Sequence, residues 1–405
     1  MKVIGIICEY NPIHNGHLYH LKKAQDLAEG GIVIAILTGY FSMRGDISVI
    51  NKYDKVRTAI DNGVNITIEL PYLLGTQNAD IFAYNAIKLL NMMGVTDIVA
   101  GSELNDIKII NDIVKLEEND DFQADIKANL LKGYSYRKSY SIALENNSIN
   151  ISSNDMLNIK YQQAINKINP NIKLNLIKRI NNNYNDTTLN ETNIQSATAI
   201  RNAKNIENYV PNSINDIFKN KGFYNLNEFS GVLKHLLLTL DLKEIFQVNE
   251  GIENYLNTNF NSIDEAICNL ASKRYTKTRI RRLISYILTN TTKKEIENIT
   301  DINVRVTGFD ESGQKYLNKI KKETNYFTRL INNINNVYDK ELLIAKIFTK
   351  IYNEDFIKIE QSLPYKKWQP TLNWLSLFFY LDFLMILRIV DNKYASFWLN
   401  SWVEP

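Results

Sequence analysis

Through the first half of this chain, short apolar runs alternate with helical patterns, and few folds tolerate that alternation. Segments 3–8, 32–38, 66–70, 97–100 and 172–177 read as strands. Leu18, Leu21, Ala24 and Ala28 recur at helical spacing until Gly30-Gly31. Val56, Ala59 and Ile60 stop at Asn62-Gly63, and Ile81, Ala86, Leu89 and Leu90 stop at Gly94. Strands separated by helices predict a parallel sheet with crossovers, a Rossmann-like doubly wound α/β domain. Such sheets bind ligands at the carboxyl ends of their strands.

The first strand runs straight into Glu9-Tyr10-Asn11-Pro12-Ile13-His14-Asn15-Gly16-His17, so a His-x-Gly-His pattern opens the first helix. A helix N-terminus offers free N–H groups and partial positive charge, which suits phosphate. Two imidazoles there can donate hydrogen bonds to phosphoryl oxygens as charge builds on them. Gly16 lets a nucleotide approach the backbone. The pattern predicts a nucleotide site where the α-phosphate of ATP is attacked; the bland alternative is a pair of helix-capping or surface histidines. His20 reads as a surface or packing residue, and Cys8, on the strand, as buried.

A second phosphate element is Ser196-Ala197-Thr198-Ala199-Ile200-Arg201. Ser196 and Thr198 at a helix start can bind phosphate, and Arg201 one turn on can neutralise it. Alone it is a capped helix. Paired with His-x-Gly-His it matches the phosphate clamp of adenylyl-transferring enzymes, which work by positioning and positive charge around ATP, with Mg²⁺ expected to travel on the phosphates.

The 405 residues suggest more than one domain. Segment 104–150 reads as inserted helices and 181–186 as a polar loop. Beyond about Lys204 strand signals thin out. Helical patterns at 229–242, 263–288 and 340–352 dominate, interrupted by an extended run at 302–306. The expected division is an α/β ATP-binding domain, 1–204, followed by a mainly α-helical domain, 205–405. The net charge of +3 decides nothing about nucleic acid, so local clusters must. Lys273, Arg274, Lys277, Arg279, Arg281 and Arg282, with Tyr275 interleaved, form the strongest one. On one helix, Arg274, Arg281 and Arg282 would share a face and could grip RNA phosphates, although a charge run is often just a solvated face. Arg305, Lys315, Lys319, Lys321 and Lys322 make a weaker stretch, and Lys52 and Arg57 read as polar positions on a surface helix. Two cysteines, Cys8 and Cys268, give no disulfide framework and fit a reducing cytoplasm. The apolar stretch 372–390 carries Asp382 and Arg388 and reads as a buried helix, so no membrane is expected.

The chain resembles the bacterial tRNA(Met) cytidine acetate ligases, within the HIGH-type nucleotidyltransferases. The likeness rests on Glu9 to His17, Glu69-Leu70-Pro71, Gln77 to Ala83, Gly101-Ser102-Glu103, Ser152 to Leu157, Ser196 to Arg201 and Lys273 to Thr276, in that order. It implies an enzyme that joins acetate to ATP as acetyl-adenylate. The acetyl group then passes to N4 of the wobble cytidine of elongator tRNA(Met). It also implies ATP contacts at Ile7, Cys8, Glu9, Tyr10, Asn11, Pro12, Ile13, His14, Asn15, Gly16, His17, Leu18, Tyr19 and His20, and at Gly101, Asn154 and Arg179. His14 and His17 would be catalytic. Gly101 would let adenine or ribose lie on the strand end, Asn154 would read a base or ribose edge, and Arg179 would reach phosphate. The family's Asn-Phe-x-Gln-Arg-Gly stretch is replaced here by Gly39-Tyr40-Phe41-Ser42-Met43-Arg44-Gly45, which keeps only part of it. The residues by themselves also suit an adenylyltransferase acting on a small phosphorylated cofactor precursor, or a nucleotide-dependent RNA-binding protein without chemistry. They indicate neither oligomeric state nor a general base for the cytidine amine.

Overall fold

The computed structural model describes residues 1–179, 193–256, 258–300, 302–330 and 336–367. The polar loop at 181–186 and the apolar stretch at 372–390 lie outside the described residues. Five strands form the expected parallel core: β1 (Val3–Cys8), β2 (Ile32–Thr38), β3 (Ile66–Leu70), β4 (Asp97–Ser102) and β5 (Lys173–Lys178), in the spatial order β5-β4-β1-β2-β3. Each residue of β2 is buried, since both faces of the sheet are covered. Ile32, Ile34 and Ile36 face a core shared with helices Ala79–Met92 and Ser153–Ile168. Val33, Ala35 and Leu37 face another, shared with α1 (Asn15–Ala28) and α2 (Lys52–Asp61). The chain winds outward from β1 through β2 and β3, then returns to place β4 on the other side of β1. The reversal leaves a crevice between the carboxyl ends of β1 and β4, the place where such sheets bind ligands.

The second half does not separate from this sheet at Lys204. Residues 1–367 form one compact unit, and the extended run expected at 302–306 is strand β6 (Val304–Phe309), which adds antiparallel to β3. Two short strands, β7 (Tyr326–Phe327) and β8 (Tyr365–Lys366), pair with β6. Val304 and Val306 enter the apolar core under the sheet, while Arg305 and Thr307 alternate onto the other face, also buried. The helical half and the sheet further share an apolar cluster in which Tyr40, Phe41, Tyr72 and Leu73 pack with Phe229, Leu283, Ile287 and Phe348.

Beside that cluster lies a buried ionic group. Lys52 Nζ contacts Glu69 at 2.5 Å, Glu360 at 2.5 Å and Glu341 at 3.3 Å. The Arg305 guanidinium reaches Glu69 at 2.6 Å and Glu360 at 2.7 Å, and the Tyr40 hydroxyl donates to Glu360 at 2.5 Å. Lys52 is therefore not a polar position on a surface helix, and Arg305 is not part of an accessible basic stretch; both are stapled into the seam between sheet and helices. Three carboxylates face two cations here, and the Glu341 carboxyl is pushed up to about 8, first by burial and then by Glu69.

The helix expected over 263–288 is broken into Ile263–Leu270 and Lys277–Leu288. The Thr276 side chain accepts the Arg279 N–H and starts the second helix there. Arg274 precedes that start, so it does not share a helical face with Arg281 and Arg282. Inserted helices Ile107–Leu116, Asp120–Leu131 and Tyr136–Asn146 pack on Ser153–Ile168 around Ile113, Phe122 and Ile159. Among the described residues no helix is long and apolar enough to cross a membrane.

Candidate active site

A cavity of about 1570 Å³ opens over the crevice between β1 and β4. His14 is the N-cap of α1, and its Nδ1 accepts the Gly16 N–H at 3.1 Å. His17 Nδ1 accepts the His14 N–H at 3.3 Å. The two rings stack with centroids 3.7 Å apart. Burial, then the Arg179 and Arg201 charges, pull the His14 imidazolium down to about 3. Burial, followed by the His14, His20 and Arg179 charges, holds His17 well below the usual histidine range. Both rings are thus neutral near pH 7. With each Nδ1 occupied as an acceptor, the hydrogen-bond pattern assigns the remaining proton to Nε2. The two rings that line the cavity therefore each carry an Nε2–H donor without positive charge.

Gly16 has a packing reason: a Cβ there would stand 3.0 Å from His14 Cε1. Gly101 has none among the described residues, where a Cβ would meet no atom closer than Arg179 Cγ at 3.5 Å. The bare backbone at the end of β4 leaves room for a ligand. Glu103 braces the neighbouring groups, taking Asn154 Nδ2 at 2.7 Å and Arg179 Nε at 3.2 Å. Buried Asp155 accepts from Ser102 and fixes the start of helix Ser153–Ile168 beside the strand end. Opposite, Ser196 Oγ accepts the Ala199 N–H, and Arg201 donates to Asn11 O at 2.7 Å and to Thr198 Oγ1 at 3.1 Å.

The cavity brings together most of the residues singled out from sequence. Ile7, Cys8, Glu9, Tyr10, Asn11, His14, Gly16, His17, Tyr19 and His20 line it, with Gly101, Asn154, Arg179, Ser196, Thr198 and Arg201. Pro12, Ile13, Asn15 and Leu18 do not. Asn15 instead ties the loop to the Asn193 and Asn208 carbonyls, each at 2.9 Å. Burial pushes the Cys8 thiol up to about 12, which keeps it inert. His20, expected to be a surface or packing residue, has a buried Nε2 with no partner among the described residues, and burial draws its imidazolium down to about 4.

From the basic segment, Arg274, Arg279, Arg281 and Arg282 line the same cavity, whereas Lys273, Tyr275 and Lys277 do not. Three of these arginines are held by acids or amides. Arg274 meets Glu250 at 3.0 Å, Arg279 donates to Asn249 at 2.8 Å, and Arg281 meets Asp46 at 2.9 Å. Arg282 is largely desolvated, and its Nε lacks a partner among the described residues. Gly45, at φ +80°, lies so close that a Cβ would come within 2.6 Å of the Arg282 backbone. Only glycine allows the 39–45 loop to seat on this helix. Tyr40, at the altered position of that loop, belongs to the buried ionic group; Met43 lines the cavity, and its N–H donates to Glu9 at 2.7 Å.

Sequence reasoning missed the bracing roles of Glu103, Asp155 and Asn15. It also missed Lys55, whose Nζ donates to the carbonyls of Glu9, Thr38 and Gly39 at 2.8–3.1 Å and joins the turns after β1 and β2. A carboxylate beside Gly101 and a polar Ser-Asn-Asp helix start were the available signals.

A doubly wound sheet with paired neutral imidazoles at its switch point, ringed by arginines, defines a nucleotidyl-transferring class. Comparison agrees: the HIGH Nucleotidyl Transferase family profile matches residues 1–363. A Caldicellulosiruptor bescii protein named tRNA(Met) cytidine acetate ligase is 36% identical over 89% of this chain and 97% of its own length. A Thermosipho africanus protein of the same name is 38% identical over 80% of this chain and 83% of its own. The crystal structure of Thermotoga maritima TmcAL bound with alpha-thio ATP superposes with TM-score 0.78 at 26% identity, covering 91% of this chain and all of that one (100%). The chain belongs to the tRNA(Met) cytidine acetate ligase family of HIGH nucleotidyl transferases.

Proposed function

We propose that this protein activates acetate with ATP and acetylates N4 of the wobble cytidine of elongator tRNA(Met). ATP lies with its triphosphate against the α1 N-terminus and its nucleoside across Gly101. An acetate oxygen attacks the α-phosphorus and pyrophosphate leaves, giving acetyl-adenylate. The cytidine N4 then attacks the acetyl carbon, AMP leaves, and the amine loses a proton. The Nε2–H groups of His14 and His17 donate to phosphoryl oxygens as charge grows, with no proton transfer needed. Arg179, Arg201 and the Ser196 and Thr198 hydroxyls hold the phosphates. Mg²⁺ enters bound to the phosphates; among the described residues no group of three or more His, Cys, Asp or Glu could hold a metal by itself.

One observation carries this reading: stacked imidazoles whose Nδ1 atoms are both taken as acceptors share a cavity with four arginines of the second half. That pairing favours a large anionic acceptor over a small cofactor precursor. The test is incubation with ATP, labelled acetate and purified tRNA(Met), followed by nucleoside analysis. Labelled N4-acetylcytidine is expected. Unmodified cytidine, under conditions where an ATP analogue binds, overturns the assignment.

A further inference from the structure

Another wall of the cavity carries none of the residues assigned above to ATP. It is the turn between helices Asp120–Leu131 and Tyr136–Asn146, with the sequence Leu131-Lys132-Gly133-Tyr134-Ser135-Tyr136-Arg137-Lys138. Gly133, at φ +82°, ends the first helix, and Ser135 caps the second. The tight turn throws large side chains outward. Leu131 is 90% exposed, Tyr136 50% and Tyr134 38%, and all three line the cavity. Arg137 lines it as well and donates to Ser153 Oγ at 2.6 Å, which ties the turn to the helix start that carries Asn154.

Exposed aromatic rings cost solvation, and here they line the candidate reaction cavity. Residues 127–138 contain four cations, Lys127, Lys132, Arg137 and Lys138, and no acid. Centres of protein–protein contacts are depleted in lysine. Interleaved cations and tyrosines instead suit unpaired nucleotides, whose bases stack on rings while their phosphates meet the charges.

We propose that the Gly133–Arg137 turn is a stacking platform for unpaired bases of the acceptor RNA, next to the reacting cytidine. This rests on the reading that the acceptor is an RNA loop. The platform and the arginines of helix Lys277–Leu288 share one cavity, so the loop contacts both while the reacting base enters between them.

The test uses the full-length protein and an anticodon stem-loop of tRNA(Met) carrying a photoreactive pyrimidine beside the wobble position. Irradiation followed by tryptic mapping should place the crosslink on peptide 133–137. The double variant Tyr134→Ala/Tyr136→Ala should bind the stem-loop about tenfold more weakly. The double Phe variant, which keeps the rings, should stay within about twofold. Unfolding temperatures report whether each variant is folded. Crosslinks confined to other peptides, or unchanged affinity in the Ala variant, overturn the platform while leaving the RNA reading intact. A concentration-dependent dimer that the Ala variant abolishes without changing RNA affinity would make this a self-association surface and equally overturn it. Failure of the unaltered protein to bind the stem-loop overturns the RNA reading, and the platform with it.

Discussion

Replacing Lys52 by Met tests whether the buried ionic group welds sheet to helices. Met keeps the length and apolar stem of lysine but removes a charge in contact with Glu69, Glu341 and Glu360. Arg305 alone then faces three buried carboxylates. Breaking a buried pair by removing one partner costs about 3–5 kcal/mol. That figure belongs to conditions where the remaining acids stay ionised. In the unaltered protein Glu341 already titrates near 8, above its ordinary 4.5, so its contribution is fully present below pH 4.5 and is lost as pH rises through 8. The variant must take up a further proton, so its penalty should shrink by about 1.4 kcal/mol for each pH unit of acidification over the range where that proton binds. Urea unfolding at pH 8.5, 7.5 and 6.5 should show a destabilisation of several kcal/mol at the top that falls by roughly half or more at the bottom. A penalty under about 1 kcal/mol, or one independent of pH, would refute the argument that three carboxylates share too few cations.

Folded His14 and His20 titrate near 3 and 4, below the 6.5 of the unfolded chain. The unfolded state therefore binds more protons between these values, and stability should fall as pH drops from 6.5 toward 3, measured by unfolding at constant ionic strength. For the same reason, kcat/KM should show no histidine titration between pH 5 and 8 from the paired rings. Gly101→Ala should leave stability within about 0.5 kcal/mol, since its Cβ meets nothing closer than 3.5 Å among the described residues; its affinity for an ATP analogue, read by calorimetry, should drop about tenfold or more if the nucleoside lies on that backbone. Asp46→Asn releases Arg281 from a 2.9 Å ion pair, so tRNA should bind about two- to fivefold tighter at low salt, the gain fading as salt rises.

The parallel core was legible because strands buried on both faces read as near-continuous apolar runs, as in β2. The paired histidines were legible because their spacing coincides with a strand end and a helix start. What escaped depended on contacts across long sequence separations. Lys52 looks like an ordinary helix charge until Glu341 and Glu360, 289 and 308 residues further on, are placed beside it. Arg305 offered a weak hint: alternation in 304–307 gives Arg and Thr a face of their own, but only the sheet makes that face buried. Arg274 was misplaced because helical spacing was counted through a segment that Thr276 restarts. Asn15, lying between the two histidines in sequence, braces the Asn193 and Asn208 carbonyls, which spacing alone could not distinguish from a ligand contact.

On the proposed mechanism one group does two jobs at the centre of the site, and the two can be separated. His14 Nδ1 caps α1 through the Gly16 N–H, while its Nε2–H is left for a phosphoryl oxygen. His14→Ala removes both, so it should cost about 1 kcal/mol of stability from the lost cap and about 10²–10³ in turnover from the lost donor. His14→Asn supplies an equally good cap through its side-chain oxygen. Its amide is too short to reach where Nε2 stood. Stability should return to that of the unaltered protein, while acetate-dependent pyrophosphate release stays as low as in the Ala variant. Recovery of turnover together with stability would mean that His14 serves the helix alone, and that the oxygen of the attacked phosphate is held by other groups.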